Sequence, residues 1–171
     1  MRTPPRLRGI AALLAACYAL VLTLIAFWPT PVDKPIERPI RKAVDWSQSH
    51  GAEVVTYPFI ESMANVALFM PVGFLLVLIL GARRWWLSIL AGAALSTAIE
   101  LGQRYFLSAR FATINDVLAN TAGTIAGTAL GLIVLAILRL VDHRRHRAAV
   151  AAISLRVPRE SKRADASTPV G

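Results

Sequence analysis

Four long apolar runs leave this chain few ways to fold. The first covers Gly9 to Trp28, the second about Met63 to Leu80, the third Trp85 to about Phe106 and the fourth about Asp116 to Val141. Each is close to the roughly 20 residues a helix needs to cross a hydrocarbon core about 30 Å thick. In lipid every backbone N–H and C=O must be paired within the protein, which leaves helices or a closed barrel, and runs this long and unbroken exclude barrel strands. The expected fold is all-α. It is an integral-membrane four-helix bundle over 1–141 followed by a basic, disordered tail over 142–171. Composition agrees, because 56% of the 171 residues are hydrophobic and only 17% are charged, whereas a soluble domain carries about a quarter charged residues.

The punctuation fits the same reading. Pro29, Pro31, Pro35 and Pro39 follow the first run, Gly81 with Arg83 and Arg84 follows the second, and Trp28, Trp85, Trp86 and Tyr105 stand where interfacial anchors belong. Between the first two runs, Ile40 to Trp46 reads as a short amphipathic segment lying in the membrane interface. Orientation follows from the basic residues. With four spans, the N-terminus, the second loop and the tail share one side and hold thirteen of the nineteen Lys and Arg residues, against six on the other. Both termini are therefore expected in the cytoplasm of a bacterial cell, the chain being a multi-pass protein of the inner membrane. The tail's basic clusters, beside a membrane, attract anionic headgroups; no recognition fold or aromatic interleaving accompanies them, so nucleic acid is not an expected partner.

Arg2, Arg6 and Arg8 before an apolar run, with Leu14-Ala15-Ala16-Cys17 inside it, also suggest a secretory or lipoprotein signal. The run continues through Trp28 without a small-residue cleavage site at its end, which favours a retained anchor. A single cysteine excludes an internal disulfide framework or a zinc cluster.

Polar residues collect at one depth. The third span runs outward, so a rise of 1.5 Å per residue puts Glu100 roughly 9 Å inside its outer end, with Gln103 nearer the surface. The fourth span runs inward and begins with Asp116 and Asn120, one turn apart; the second enters with Glu61 and Asn65, also one turn apart. The short connection between spans three and four makes them an antiparallel hairpin and sets Arg110 above the same region. Gly92, Ser96 and Glu100 recur at steps of four, as do Gly123, Gly127 and Gly131, and such small-residue stripes mark close helix packing. Glu100 is therefore expected to face protein rather than lipid.

The ordered set Asn65, Phe69-Met70-Pro71-Val72-Gly73, Glu100, Gln103, Arg110, Asp116, Asn120, Gly123 and Gly127 resembles the VanZ-like membrane protein family. The resemblance covers about 65 to 131. It departs at Leu107 and Ser108, where a proline is common, and at Thr113, where an acidic residue often stands. The family name comes from reduced susceptibility to the glycopeptide teicoplanin, and its members are similar to bacterial inner-membrane proteins of the cell envelope. Carried over by position, its polar motif falls on Asn65, Glu100, Gln103, Arg110, Asp116 and Asn120.

Four readings stay open for that cluster, one of them a transporter or partner subunit, for which four short spans with no inverted repeat are thin material. It binds a lipid headgroup, a cell-wall precursor or a lipophilic glycopeptide, with the planar fork of Arg110 suited to phosphate or carboxylate. Alternatively it is an enzyme acting on a lipid-linked substrate, with Glu100 as acid or base. Or it is a purely structural seam, in which Glu100 and Arg110 clamp two helix ends and Asn115 or Asp116 caps the fourth helix. No cofactor is expected, and a metal site joining His50 to Glu61 or Asp116 is not favoured.

Overall fold

The computed structural model describes residues 4–28, 37–106 and 113–156. Five α-helices follow one another: α1 (Pro5–Ala26), α2 (Glu37–Ser49), α3 (Tyr57–Leu80), α4 (Trp85–Phe106) and α5 (Ile114–Arg156), with a short 3₁₀ turn, Ala82–Arg84, between α3 and α4. Four of them, α1, α3, α4 with its leading turn, and α5, are long and apolar enough to cross a membrane. The third predicted span coincides with α4. The others differ at their ends, the first running from Pro5 to Ala26 rather than from Gly9 to Trp28.

Helix α3 starts six residues before the expected Met63 because Thr56 caps it, its Oγ1 accepting from the Phe59 N–H at 3.3 Å, and Pro58 sits in the first turn where no N–H is needed. It ends at Gly81, whose φ of 82° is a conformation only glycine adopts without cost, and the chain reverses there into α4. Helix α5 runs fifteen residues past Val141, so the expected disordered tail is helical as far as Arg156. Residues 142–156 contain no Gly or Pro and are rich in Ala and Arg, which are strong helix formers.

Helix α2 adds a fifth helix to the four expected. The amphipathic stretch foreseen at Ile40 to Trp46 is the centre of a 13-residue helix. Its Val44 is buried while Trp46 is exposed. The Arg41 guanidinium lies 4.6 Å over the Tyr57 ring, and the Gln48 amide donates to the Val55 carbonyl at 3.0 Å, so α2 is fastened to the entry of α3.

The chain divides into two units, Met1–Leu135 and Ala136–Gly171. In the first, α3 is the hub. Ala11 and Leu22 of α1 pack on Phe69, Val72, Leu75 and Leu78 of α3, with Leu135 joining the cluster of Ala11, Leu75 and Leu78. Pro71 cannot donate to the carbonyl of Ala67; in the same turn the Tyr18 hydroxyl donates to the carbonyl of Leu68 at 2.6 Å, a polar tie between α1 and α3. On its other side α3 meets α5 backbone to backbone. A Cβ on Gly123, Gly127 or Gly131 would run into the Val66 carbonyl, the Met70 carbonyl and the Val77 side chain respectively, and one on Gly73 would strike the Thr124 carbonyl. Large apolar side chains such as Leu13, Leu20, Leu90, Leu101 and Ile133 are left facing outward, as lipid-facing positions require. In the second unit the described side chains, from Ala136 to Ala152, are all exposed.

Candidate functional site

Helix α4 buries one stripe: Ser88, Gly92, Ser96, Glu100 and Gln103. The first four recur every fourth residue, so they share a face, and that face meets α5. The Asn120 side-chain amide donates to Ser96 Oγ at 2.9 Å, which fixes the antiparallel register of the two helices. Four residues along each helix the Thr124 side chain fills the notch that Gly92 leaves, its Cβ being 2.9 Å from where a Cβ on Gly92 would stand. Toward the start of α5, the same register brings the Glu100 turn level with the Asp116 turn.

Asp116 is held on two sides. Asn65 Nδ2 of α3 donates to Asp116 Oδ1 at 2.7 Å, and the Thr113 hydroxyl donates to Oδ2 at 2.7 Å. The Asp116 backbone N–H in turn donates to Thr113 Oγ1 at 3.2 Å. Thr113, directly before Ile114, is therefore the N-cap of α5, and Asp116, its N3 residue, accepts from the cap hydroxyl while its N–H donates to it. This corrects the expectation that Asn115 or Asp116 would cap the helix. Thr113 supplies the cap oxygen, and the Asp116 carboxylate reaches α3.

Asn120 is 5% exposed, and its Oδ1 is buried without a hydrogen-bond partner. Turning the amide over exchanges oxygen and nitrogen but still leaves one end unpaired. A buried polar group in that state costs about 1–3 kcal/mol, so an unsatisfied amide at a packed seam calls for an explanation. Glu100 lies one turn beyond Ser96 on α4 and is 9% exposed; in a membrane such a carboxylate is costly and usually functional.

Of the six residues in the expected set, the structure brings Asn65, Asp116 and Asn120 together with Glu100 at one end of the α3, α4 and α5 seam. Gln103 is turned elsewhere: its amide donates at 2.8 Å to the carbonyl of Ala26, in the last turn of α1. That carbonyl is among the last four of α1, whose partners come from outside the helix. Beside it the Phe27 ring packs where Gly102 has no side chain, at 2.7 Å from the position of a Cβ. Gln103 and Gly102 thus latch the end of α1 onto α4. Replacing Gln103 with Leu is expected to lower the detergent-solubilised protein's stability by about 0.5–1.5 kcal/mol, the usual net worth of one intramolecular hydrogen bond. A thermal melt unchanged from wild type would refute the latch. Arg110 lies outside the described residues. His50 stacks on Trp46, ring centroids 4.4 Å apart, and its Nδ1 lies 2.8 Å from the Trp46 carbonyl.

Ser88, Thr124 and Thr128 belong to the same seam and escape a search for charged or amide groups. Thr124 Oγ1 donates to the Asn120 carbonyl at 3.0 Å, the usual way a helical threonine hides its polarity. Their signal in the sequence is spacing alone: 120 and 124 on α5 meet 96 and 92 on α4, while Thr128 Oγ1 donates to the Gly73 carbonyl of α3 at 3.4 Å.

The protein-family model described as VanZ/LLP1 matches residues 14–137. No curated protein and no solved structure matches the chain. The matched stretch takes in most of α1, all of α2, α3 and α4, and the part of α5 that carries Asp116, Asn120 and the glycine ladder. With four membrane-length helices and this polar seam, the chain belongs to the VanZ/LLP1 family of multi-pass membrane proteins.

Proposed function

We propose that the cluster of Asn65, Glu100, Asp116 and Asn120 is a binding site for the polar head of an envelope lipid, a lipid-linked cell-wall precursor or a lipophilic glycopeptide. Arg110 completes the site with a cation, and Gln103 serves it indirectly by holding α1 in place. The observation that carries the reading is Asn120. Its amide is fixed at one end by Ser96 and left unpaired at the other, next to two carboxylates at the level where the spans begin. A scaffold would gain stability by replacing that amide; a ligand site requires it. The same reading extends to lowered glycopeptide susceptibility, with teicoplanin as the probe.

Asn120→Leu tests this directly. Purified with mild detergent from bacterial membranes, the wild-type protein is expected to retain a lipid or precursor that native mass spectrometry detects. The variant should lose that mass while melting no lower than wild type, because Ser96 can turn to the carbonyl four residues back. Equal retention by both proteins would remove Asn120 from the site.

The site faces the outer leaflet if both termini are cytoplasmic, as the charge asymmetry implies. In a Cys17→Ala background, His50→Cys is expected to react with an impermeant thiol reagent on intact cells, and Ala148→Cys only after permeabilisation. Labelling of position 148 in intact cells would invert the topology and place the cluster on the cytoplasmic side.

A further inference from the structure

From Arg139 to Arg147 the helix carries four arginines, Arg139, Arg144, Arg145 and Arg147, with His143 and His146 and a single acid, Asp142. All seven side chains are exposed. Solvated helices usually alternate charge so that neighbours four apart neutralise one another. Here one carboxylate faces four guanidiniums, so the charge is left for an outside partner. Three further observations say what that partner is. A span beginning at Ile114 is complete after roughly 20–25 residues, which places the basic cluster at the membrane surface in chain order. Leu138, Leu140 and Val141, on either side of Arg139 and ahead of the remaining cations, are apolar and exposed, a collar suited to acyl chains beside a charged head. Finally, every cation between Ala136 and Arg156 other than histidine is Arg, none Lys, and the guanidinium fork matches phosphate oxygens in pairs.

We propose that Arg139, Arg144, Arg145 and Arg147 form a binding surface for anionic phospholipid headgroups, separate from the Asn120 cluster. Arg144, Arg145 and Arg147 span about 5 Å of helix, within the Debye length of about 8 Å at physiological ionic strength. They therefore act together on one patch of membrane. Each cation near an anionic surface multiplies attachment roughly fivefold.

The test uses the full chain with Cys17→Ala and Val150→Cys, labelled at position 150 with an environment-sensitive fluorophore and placed in lipid nanodiscs. Nanodiscs expose both faces, so the result does not depend on topology. As phosphatidylglycerol replaces phosphatidylcholine, the emission is expected to shift toward that of a lipid environment. It should revert in about 1 M salt, where the Debye length falls to about 3 Å. Combining Arg144→Gln, Arg145→Gln and Arg147→Gln is expected to cut the ratio of attached to detached helix on the order of 100-fold. Circular dichroism should show helix content unchanged, since Gln is as good a helix former as Arg. Identical emission in neutral and anionic discs would overturn the proposal. So would displacement from anionic discs by a short RNA duplex at equal phosphate concentration, which would assign the surface to nucleic acid.

Discussion

Gly127→Leu is expected to remove the protein from the membrane fraction. A side chain at this position must occupy the space of the Met70 carbonyl, and behind that atom lies the Phe74 amide nitrogen, 2.9 Å from where a Cβ would stand. Both belong to the α3 backbone, so no rotamer change relieves the overlap and the two helices have to separate. Separation also breaks the neighbouring contacts at Gly123 and Gly73, where each helix rests on the other's carbonyls. Overpacking a core typically costs about 1–3 kcal/mol, and a rigid backbone obstacle puts this case at or above the upper end of that range. Two other glycines calibrate the effect. Gly102→Ala meets only the edge of the Phe27 ring, which can swing aside, and Gly9 has nothing within 4 Å of a Cβ. Gly102→Ala should therefore be mild, and Gly9→Ala neutral or slightly stabilising, since a helical glycine costs roughly 0.5–1 kcal/mol relative to alanine. Western blots of membrane fractions would rank the three. Normal accumulation of Gly127→Leu would mean that α3 and α5 do not pack through this ladder.

That ladder was legible in the sequence because its signal is local: three glycines at steps of four inside one apolar run admit few readings. Helix α4 was legible for a similar reason, being bounded by tryptophans at one end and Gln103, Arg104 and Tyr105 at the other. The parts that were not legible depend on partners far away in the chain or on groups with two possible roles. Gln103 lies on the same stripe as Glu100, so its spacing alone places it in the polar cluster. Only the fold shows that its amide donates to the Ala26 carbonyl, 77 residues earlier. Thr113 stands out in the sequence as a departure from an acidic position, yet a threonine three residues before an Asp is also a helix N-cap signature, and the helix start decides between the two. The overrun of α5 to Arg156 reflects a limit of span-finding: hydropathy marks where a helix leaves lipid, while propensity marks where it stops being a helix.

Exchanging both Asn65 and Asp116 for leucine is expected to be far milder for stability than the two single changes suggest, and just as damaging for function. The bond between them, 2.7 Å from Asn65 Nδ2 to Asp116 Oδ1, ties α3 to α5. Hydrogen bonds to charged groups are worth about 1.5–3 kcal/mol. Asn65→Leu alone leaves the carboxylate in place with one donor fewer, and Asp116→Leu alone strands the Asn65 amide and strips the Thr113 hydroxyl of its acceptor. In the double variant no charge remains to be satisfied, and two apolar side chains can pack across the same gap. A thermodynamic cycle in detergent should therefore report a coupling of about 1.5–3 kcal/mol. Function separates a clamp from a site. If the pair only joins helices, the double variant should restore whatever teicoplanin or envelope phenotype the wild type confers. A site that reads a polar headgroup needs the carboxylate and amide themselves. The expected result is accordingly a variant that accumulates and melts near wild type yet stays silent in the susceptibility assay. A fully active double variant would reduce Asn65 and Asp116 to packing and leave Asn120 and Glu100 as what remains of the proposed site among the described residues.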